Sequence, residues 1–316
     1  MSELAQLLNN YRESALGVVL FSLVADYEAR FLQAYSEQGF ADIRRSHGAV
    51  LRHLDASGTT LSELALRAGV SKQAIGKVVR QLEALGYLSV VVSASDKRAR
   101  LVRFSLRGDR LVSASNRVVD DIRRHYRQQL GSETFQRLFE LLQALTEKLG
   151  RQPSVTATGE AQRFLHFGRL MVELAEDFEQ RLLAELSPVD AEKLSRPVLS
   201  QFFYCRAGGM TVTELAERQP LTVQAVSLTS RAMVKKGLLV VRESPRDSRA
   251  KELSISIAGE AWLQNIVAAN RRIQKAYAEL LGSQGLHELD QIFRRLLAAL
   301  DSGFSAFPVQ RGVNRS

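Results

Sequence analysis

The feature that most constrains this chain is an internal duplication. The segment Thr60–Arg107 returns as Thr211–Ala258 with no gap, at a constant offset of 247 − 96 = 151 set by Asp96 and Asp247. The same offset carries Thr60 to Thr211, Glu63 to Glu214, Gln73 to Gln224, Arg80 to Arg231, Gly86 to Gly237, Arg98 to Arg249 and Gly108 to Gly259. A unit this long is a whole domain present twice rather than one turn of a solenoid. A chain of 316 residues has room for two ordinary domains, each with its own core. The expected boundaries are residues 1–150 for the first copy, 151–159 for a Pro/Gly/Ser/Thr-containing linker and 160–316 for the second.

Hydrophobic periodicity predicts one long helix over Tyr11–Ser36 and a second over Ala41–Asp55. The apolar stripe of the first is widened between Ala15 and Ala25, so it wants a second packing partner. Thr60 and Glu63 have the spacing of a capping box before a short helix over Leu61–Ala68. Gly69-Val70 then turns the chain into a helix over Lys72–Leu85 that Ser71 can cap, and Gly86 stands at its end. Strands are expected at Leu88–Val92 and Leu101–Leu106, with the polar, basic tip Ser93–Arg100 between them. Helices follow over Gly108–Leu130 and Ser132–Leu149, and the tail beyond Phe304 reads as unstructured.

Helix, tight turn, helix and basic hairpin make a winged helix-turn-helix. The fold class is therefore mainly α with small β wings, with two such domains in one chain. A helix of this kind fits the DNA major groove, and a wing reaches the backbone or minor groove. A net charge of +9 suits a polyanionic partner. Candidate DNA contacts in the first copy are Ser71, Lys72, Gln73, Gly76, Lys77 and Arg80 on the helix. Asp96, Lys97, Arg98 and Arg100 are candidates on its wing. In the second copy they are Thr222, Gln224, Ser227 and Arg231 on the helix, with Arg246, Asp247, Arg249 and Lys251 on the wing. Arg98 and Arg249 suit a narrow minor groove, and the aspartate two residues before each can hold the guanidinium in place. Val223 and Leu228 replace Lys72 and Lys77, so a near-palindromic or asymmetric operator is expected, bound more tightly by the first copy.

The stretch LSELALRAGVSKQAIGKVVRQLEALGYL followed by SDKRARLVRFSLRG resembles the MarR family of bacterial transcriptional regulators. The second copy, VTELAERQPLTVQAVSLTSRAMVKKGLLV followed by SPRDSRAKELSISIAG, resembles it more loosely. The resemblance implies a regulator that binds an operator in double-stranded DNA, most often a repressor. It implies interlocking terminal helices and one chain that supplies both lobes of what is usually a homodimer, an intrachain pseudo-dimer whose functional form is a monomer. The helix near Phe164–Phe178 would then partner the wide stripe at Ala15–Ala25. The resemblance also implies a small aromatic or phenolic effector, with Tyr27, Arg44 and His47 as candidate ligand residues.

Two other readings stay open: a winged-helix scaffold for protein partners, and a thiol-based redox sensor acting through Cys205. The single cysteine aligns with Leu54, which points to core packing. One cysteine allows no internal disulfide and, with an apolar N-terminal run too short to cross a bilayer, points to the cytoplasm. No catalytic motif, metal-ligand spacing or cofactor-binding loop is present, so neither an enzyme nor a cofactor is expected.

Overall fold

The computed structural model describes residues 2–92, 100–150, 167–219, 221–243 and 251–300. In the first copy, helices α1 (Glu3–Glu13) and α2 (Leu16–Glu37) precede a 3₁₀ turn (Arg45–His47) that runs into the short α3 (Gly48–Leu51). Then come β1 (Thr59–Thr60), α4 (Leu61–Ala68), α5 (Lys72–Ala84), β2 (Leu88–Val92), β3 (Arg100–Phe104), α6 (Leu106–Leu130) and α7 (Ser132–Lys148). The second copy supplies α8 (Phe167–Glu185), α9 (Pro188–Ala191), α10 (Arg196–Tyr204), α11 (Val212–Glu217) and α12 (Val223–Lys235). It ends with β4 (Leu239–Glu243), β5 (Lys251–Ile255), α13 (Ile257–Leu281) and α14 (Ser283–Ala299).

Two compact units emerge. One gathers the described residues of 25–125 with 167–169, and the other the described residues of 2–24, 126–150 and 170–300. The first holds a winged lobe. Its sheet has the order β1-β3-β2, antiparallel throughout, with Leu88 opposite Phe104 and Val90 opposite Val102. Ile75, Val79 and Leu82 of α5 are buried with Leu64 of α4 and Tyr87. Tyr87 donates to Asp42 at 2.5 Å, and Arg107 reaches the other Asp42 oxygen at 2.9 Å while its guanidinium lies 4.3 Å over the Tyr87 ring.

That three-way contact helps explain one correction. The helix expected over Ala41–Asp55 shrinks to the 3₁₀ turn and α3, because Asp42 is drawn toward Tyr87 and Arg107 instead of opening a helix. A second correction falls at the N-terminus, where the single helix expected over Tyr11–Ser36 is broken at Ser14-Ala15. Where α1 ends, the Arg12, Glu13 and Ser14 carbonyls accept from the side chains of Arg294 and Gln274, and Ala15 follows fully buried. A third is smaller: β3 stops at Phe104, so α6 starts at Leu106 rather than Gly108.

The larger unit draws on both copies. Its winged lobe carries the two-stranded sheet β4-β5, to which Met210 adds a bridge opposite Leu253. Trp262 stacks on Phe202 at 5.3 Å and donates to the Asp190 carbonyl, closing the lobe on α13. Around it the terminal helices interlock: α1 packs on α10 and α13, and α7 packs on α13 and α14. The Tyr11 hydroxyl donates to the Leu199 carbonyl at 2.8 Å, and Arg137 forks onto the Glu288 carboxylate at 3.0 and 2.8 Å. The wide stripe of α2 finds its partner in α8, where Phe21 meets Phe178 edge-on at 6.0 Å. Gly17 makes that approach possible, since a Cβ there would stand 2.2 Å from Cε1 of Phe178.

The Gly17–Phe178 contact makes a quantitative prediction. In an exposed helix, Gly→Ala would stabilise by about 1 kcal/mol. Here overpacking against Phe178 outweighs that gain, and Gly17→Ala should lose roughly 1–3 kcal/mol in urea denaturation. In a Phe178→Leu background the same change should become neutral or stabilising. Equal losses in both backgrounds would remove the contact as the cause.

Candidate nucleic-acid interface

Each lobe presents one helix with an exposed outer face, polar on α5 and mixed polar and aliphatic on α12. On α5 the Ser71 hydroxyl accepts from the Ala74 amide at 3.2 Å, fixing the helix start. Thr222 repeats this on α12 with the Ala225 amide, also at 3.2 Å. Ser71, Lys72, Gln73, Lys77 and Arg80 are exposed, as are Thr222, Gln224 and Arg231, while Ser227 is half-buried. Gly76 departs from the expected face: it is buried, with Leu61 and the Arg80 guanidinium lying 3.6 Å from where a Cβ would be. In both copies the helix ends on a glycine of positive φ, +78° at Gly86 and +72° at Gly237, a conformation side chains rarely adopt.

The charges divide by task. Arg67 is held by Asp55 at 2.8 Å, by Glu63 at 2.5 Å and by the His53 carbonyl, so its charge is consumed in fixing α4. Arg107 is consumed likewise by Asp42 and the Leu85 carbonyl. Lys72, Lys77, Arg80, Arg100, Arg231 and Lys251 are exposed and form no ion pair with another described residue. An exposed, unpaired cation keeps its charge for an external anion.

Among the wing residues, Arg100 and Lys251 open β3 and β5 and are exposed. Asp96, Lys97, Arg98, Arg246, Asp247 and Arg249 lie outside the described residues, as do the linker 151–159 and the tail beyond residue 300.

The three candidate ligand residues sit in the smaller unit. Tyr27 is half-buried and stacks on Phe31 at 5.8 Å, and burial raises its hydroxyl above the ordinary tyrosine range. His47 is buried, and its Nδ1 accepts from the Arg44 backbone amide at 3.2 Å while the Arg44 side chain stays exposed. His47 thus closes its own turn.

A cavity of about 220 Å³ in the larger unit has no counterpart in the sequence reading. It lies between α1 and the end of α10 and gathers Arg12, Arg206 and Arg218, with Asn9 and Tyr204, and no carboxylate among the described residues lines it. The Arg218 Nε is buried with no hydrogen-bond partner among the described residues. Burial and the neighbouring guanidinium groups hold Arg12 and Arg218 below the usual arginine range. The arrangement favours an anion. No sequence signal exposes it, because residues 5–12 and 203–218 meet only through the fold.

Cys205 caps the C-terminus of α10, buried, and burial pushes its thiol up to about 12 despite Arg12 and Arg218 nearby. A thiol held there is a poor nucleophile. Folded protein should react with a water-soluble disulfide reagent far more slowly than urea-unfolded protein, and complete reaction within seconds would contradict this.

His53 gives a pH prediction. Burial, then the Arg52, Arg169 and Arg67 charges, lower its pKa from 6.5 to about 4. The unfolded chain therefore takes up a proton that the folded chain refuses. The contribution is fully present above pH 6.5 and is lost as pH falls through that window to about 4. Urea midpoints should fall across this range, and His53→Gln should flatten the slope.

Among the described residues no group of His, Cys, Asp and Glu is placed to hold a metal ion. No described helix is long and apolar enough to cross a membrane. The MarR family model matches residues 41–99 and 194–250, one segment in each copy and each containing its exposed helix. Among solved structures the chain is similar to the crystal structure of YusO protein from Bacillus subtilis. The two are 19% identical, and the match spans 44% of this chain and 97% of that chain with a TM-score of 0.32. No curated protein matches the chain.

Proposed function

We propose that this chain, a tandem protein of the MarR family and a transcriptional regulator of the winged-helix kind, binds double-stranded operator DNA as a single-chain pseudo-dimer and represses from it in the cytoplasm. The observation that carries the reading is the twice-built exposed helix face, with Lys72, Lys77 and Arg80 on α5 and Gln224 and Arg231 on α12 free of ion pairs with described residues. Cations left unpaired on a capped helix fit a phosphate-lined groove, and Gln73 and Gln224 are suited to base edges. The wing residues Arg98 and Arg249 complete the proposed contacts. The interlock of α1 and α7 with α13 and α14 supports one chain per operator, because the partner helices are covalently joined at high effective concentration.

The proposal includes release by a small anionic effector, supported by the arginine-lined cavity beside α1. An aromatic carboxylate there would answer three cations that have no carboxylate beside them among the described lining residues.

The reading is tested by anisotropy titration of the full chain against labelled DNA from upstream of its own gene. One chain per duplex is expected at the stoichiometric break, with affinity falling steeply as salt rises. Lys77→Ala should reduce the salt slope by about one, the signature of one lost phosphate contact. A break at two chains per duplex would overturn the pseudo-dimer, and no binding at low salt would overturn DNA binding.

A further inference from the structure

The offset of 151 sets Val223 where the first copy has Lys72, and Leu228 where it has Lys77. Both are left in solvent: Leu228 is 72% exposed and Val223 49% exposed. At 3.6 residues per turn, Val223 and Leu228 stand about 140° apart around α12, with Ser227, Arg231 and Gln224 between them. The face is thus a polar centre with an aliphatic side chain at each rim. Leu221, just before the helix, is also exposed.

This pattern discriminates between partners. A protein surface for docking is a contiguous apolar patch, and here Arg231 and Gln224 divide the aliphatic groups. The major groove offers what the pattern fits. Its floor is made of hydrogen-bonding edges, which suit Gln224 and Arg231, and its one apolar group is the thymine C5-methyl. Resting on the DNA-binding reading above, we infer that Val223 and Leu228 read thymine methyl groups. The second half-site is then defined by thymines beneath α12, where the first half-site answers the cations of α5.

The contact predicts its own size. Removing one buried methyl costs about 0.8 kcal/mol, which corresponds to roughly four-fold in affinity. Operators are first selected from a randomised duplex pool with the full-length chain. Thymines in the selected duplex are then replaced singly by deoxyuridine, which removes only the methyl, and binding is measured by anisotropy. At least one position in the half-site contacted by α12 should lose about four-fold. Leu228→Ala or Val223→Ala should abolish that loss, and both residues are exposed enough for the variants to fold. Lys77→Ala, which acts in the other half-site, should leave the loss intact.

Deoxyuridine operators bound as tightly as thymine operators, or a loss that persists in both alanine variants, would overturn the inference while leaving DNA binding standing. A footprint confined to the α5 half-site would also overturn it and would assign the α12 face to a protein partner. If no duplex is selected at all, the DNA-binding reading falls with it.

Discussion

The C-terminus of α1 is finished by side chains from the other copy, and the pairing of the two copies rests on that dependence. A helix leaves its last carbonyls without internal partners, and a buried carbonyl without a partner is costly. Here Arg294 of α14 donates to the Arg12 and Glu13 carbonyls at 3.3 and 3.2 Å, and Gln274 of α13 donates to the Ser14 carbonyl at 2.7 Å. Arg12 returns the favour to the end of α10, donating to the Phe203 and Cys205 carbonyls at 3.0 and 2.6 Å. Two helix ends, one from each copy, are therefore each completed by side chains of the other copy. Pulling the copies apart would expose the apolar face of α2 and also strand these polar groups.

That reciprocity explains why fusion suits this fold. In two separate chains, the same contacts would carry the translational and rotational cost of association. In one chain the cost is met by the covalent connection. Surfaces that no longer need to complement an identical copy of themselves are free to change. The change reaches the interior as well as the surface: Gln201 and Ser230, bonded at 2.7 Å, stand where the first copy has Val50 and Val79. The capping boxes have diverged too. Thr211 and Glu214 bond each other's backbone amides at 2.7 and 3.1 Å, whereas Glu63 turns from Thr60 to Arg67.

Much of the lobe was legible because its signals are local. Caps, the glycine after the exposed helix and the period of α5 lie within a few residues of what they determine. The exposed face could be read the same way, since burial at a period of 3.6 separates Ile75, Val79 and Leu82 from Lys72, Lys77 and Arg80. Gly76 escaped this logic, because a residue without a side chain has no hydropathy to place it. The larger errors in the elements lie where hydropathy marks no boundary or where a distant side chain decides. The break at Ser14 joins two apolar stretches that are continuous in sequence, and the lost helix before α3 answers to Tyr87 and Arg107. Strand β1 is two residues long, below any alternation a reader could detect, and owes its existence to pairing with Leu101 and Val102.

The same distinction separates the two candidate sites. The helix faces belong to contiguous segments, so their chemistry is written in order along the chain. The arginine-lined cavity joins residues near position 12 to residues near position 206, and no spacing rule connects them. Its position gives it mechanical leverage nonetheless. Arg12 both lines the cavity and holds the end of α10, and α10 packs on α12. A ligand that competes for the Arg12 guanidinium must weaken its bonds to the Phe203 and Cys205 carbonyls, and those bonds fix where α10 ends. Under the proposed effector release, a ligand bound at the cavity would therefore act on the helix that supports the exposed face, through direct contacts inside one compact unit.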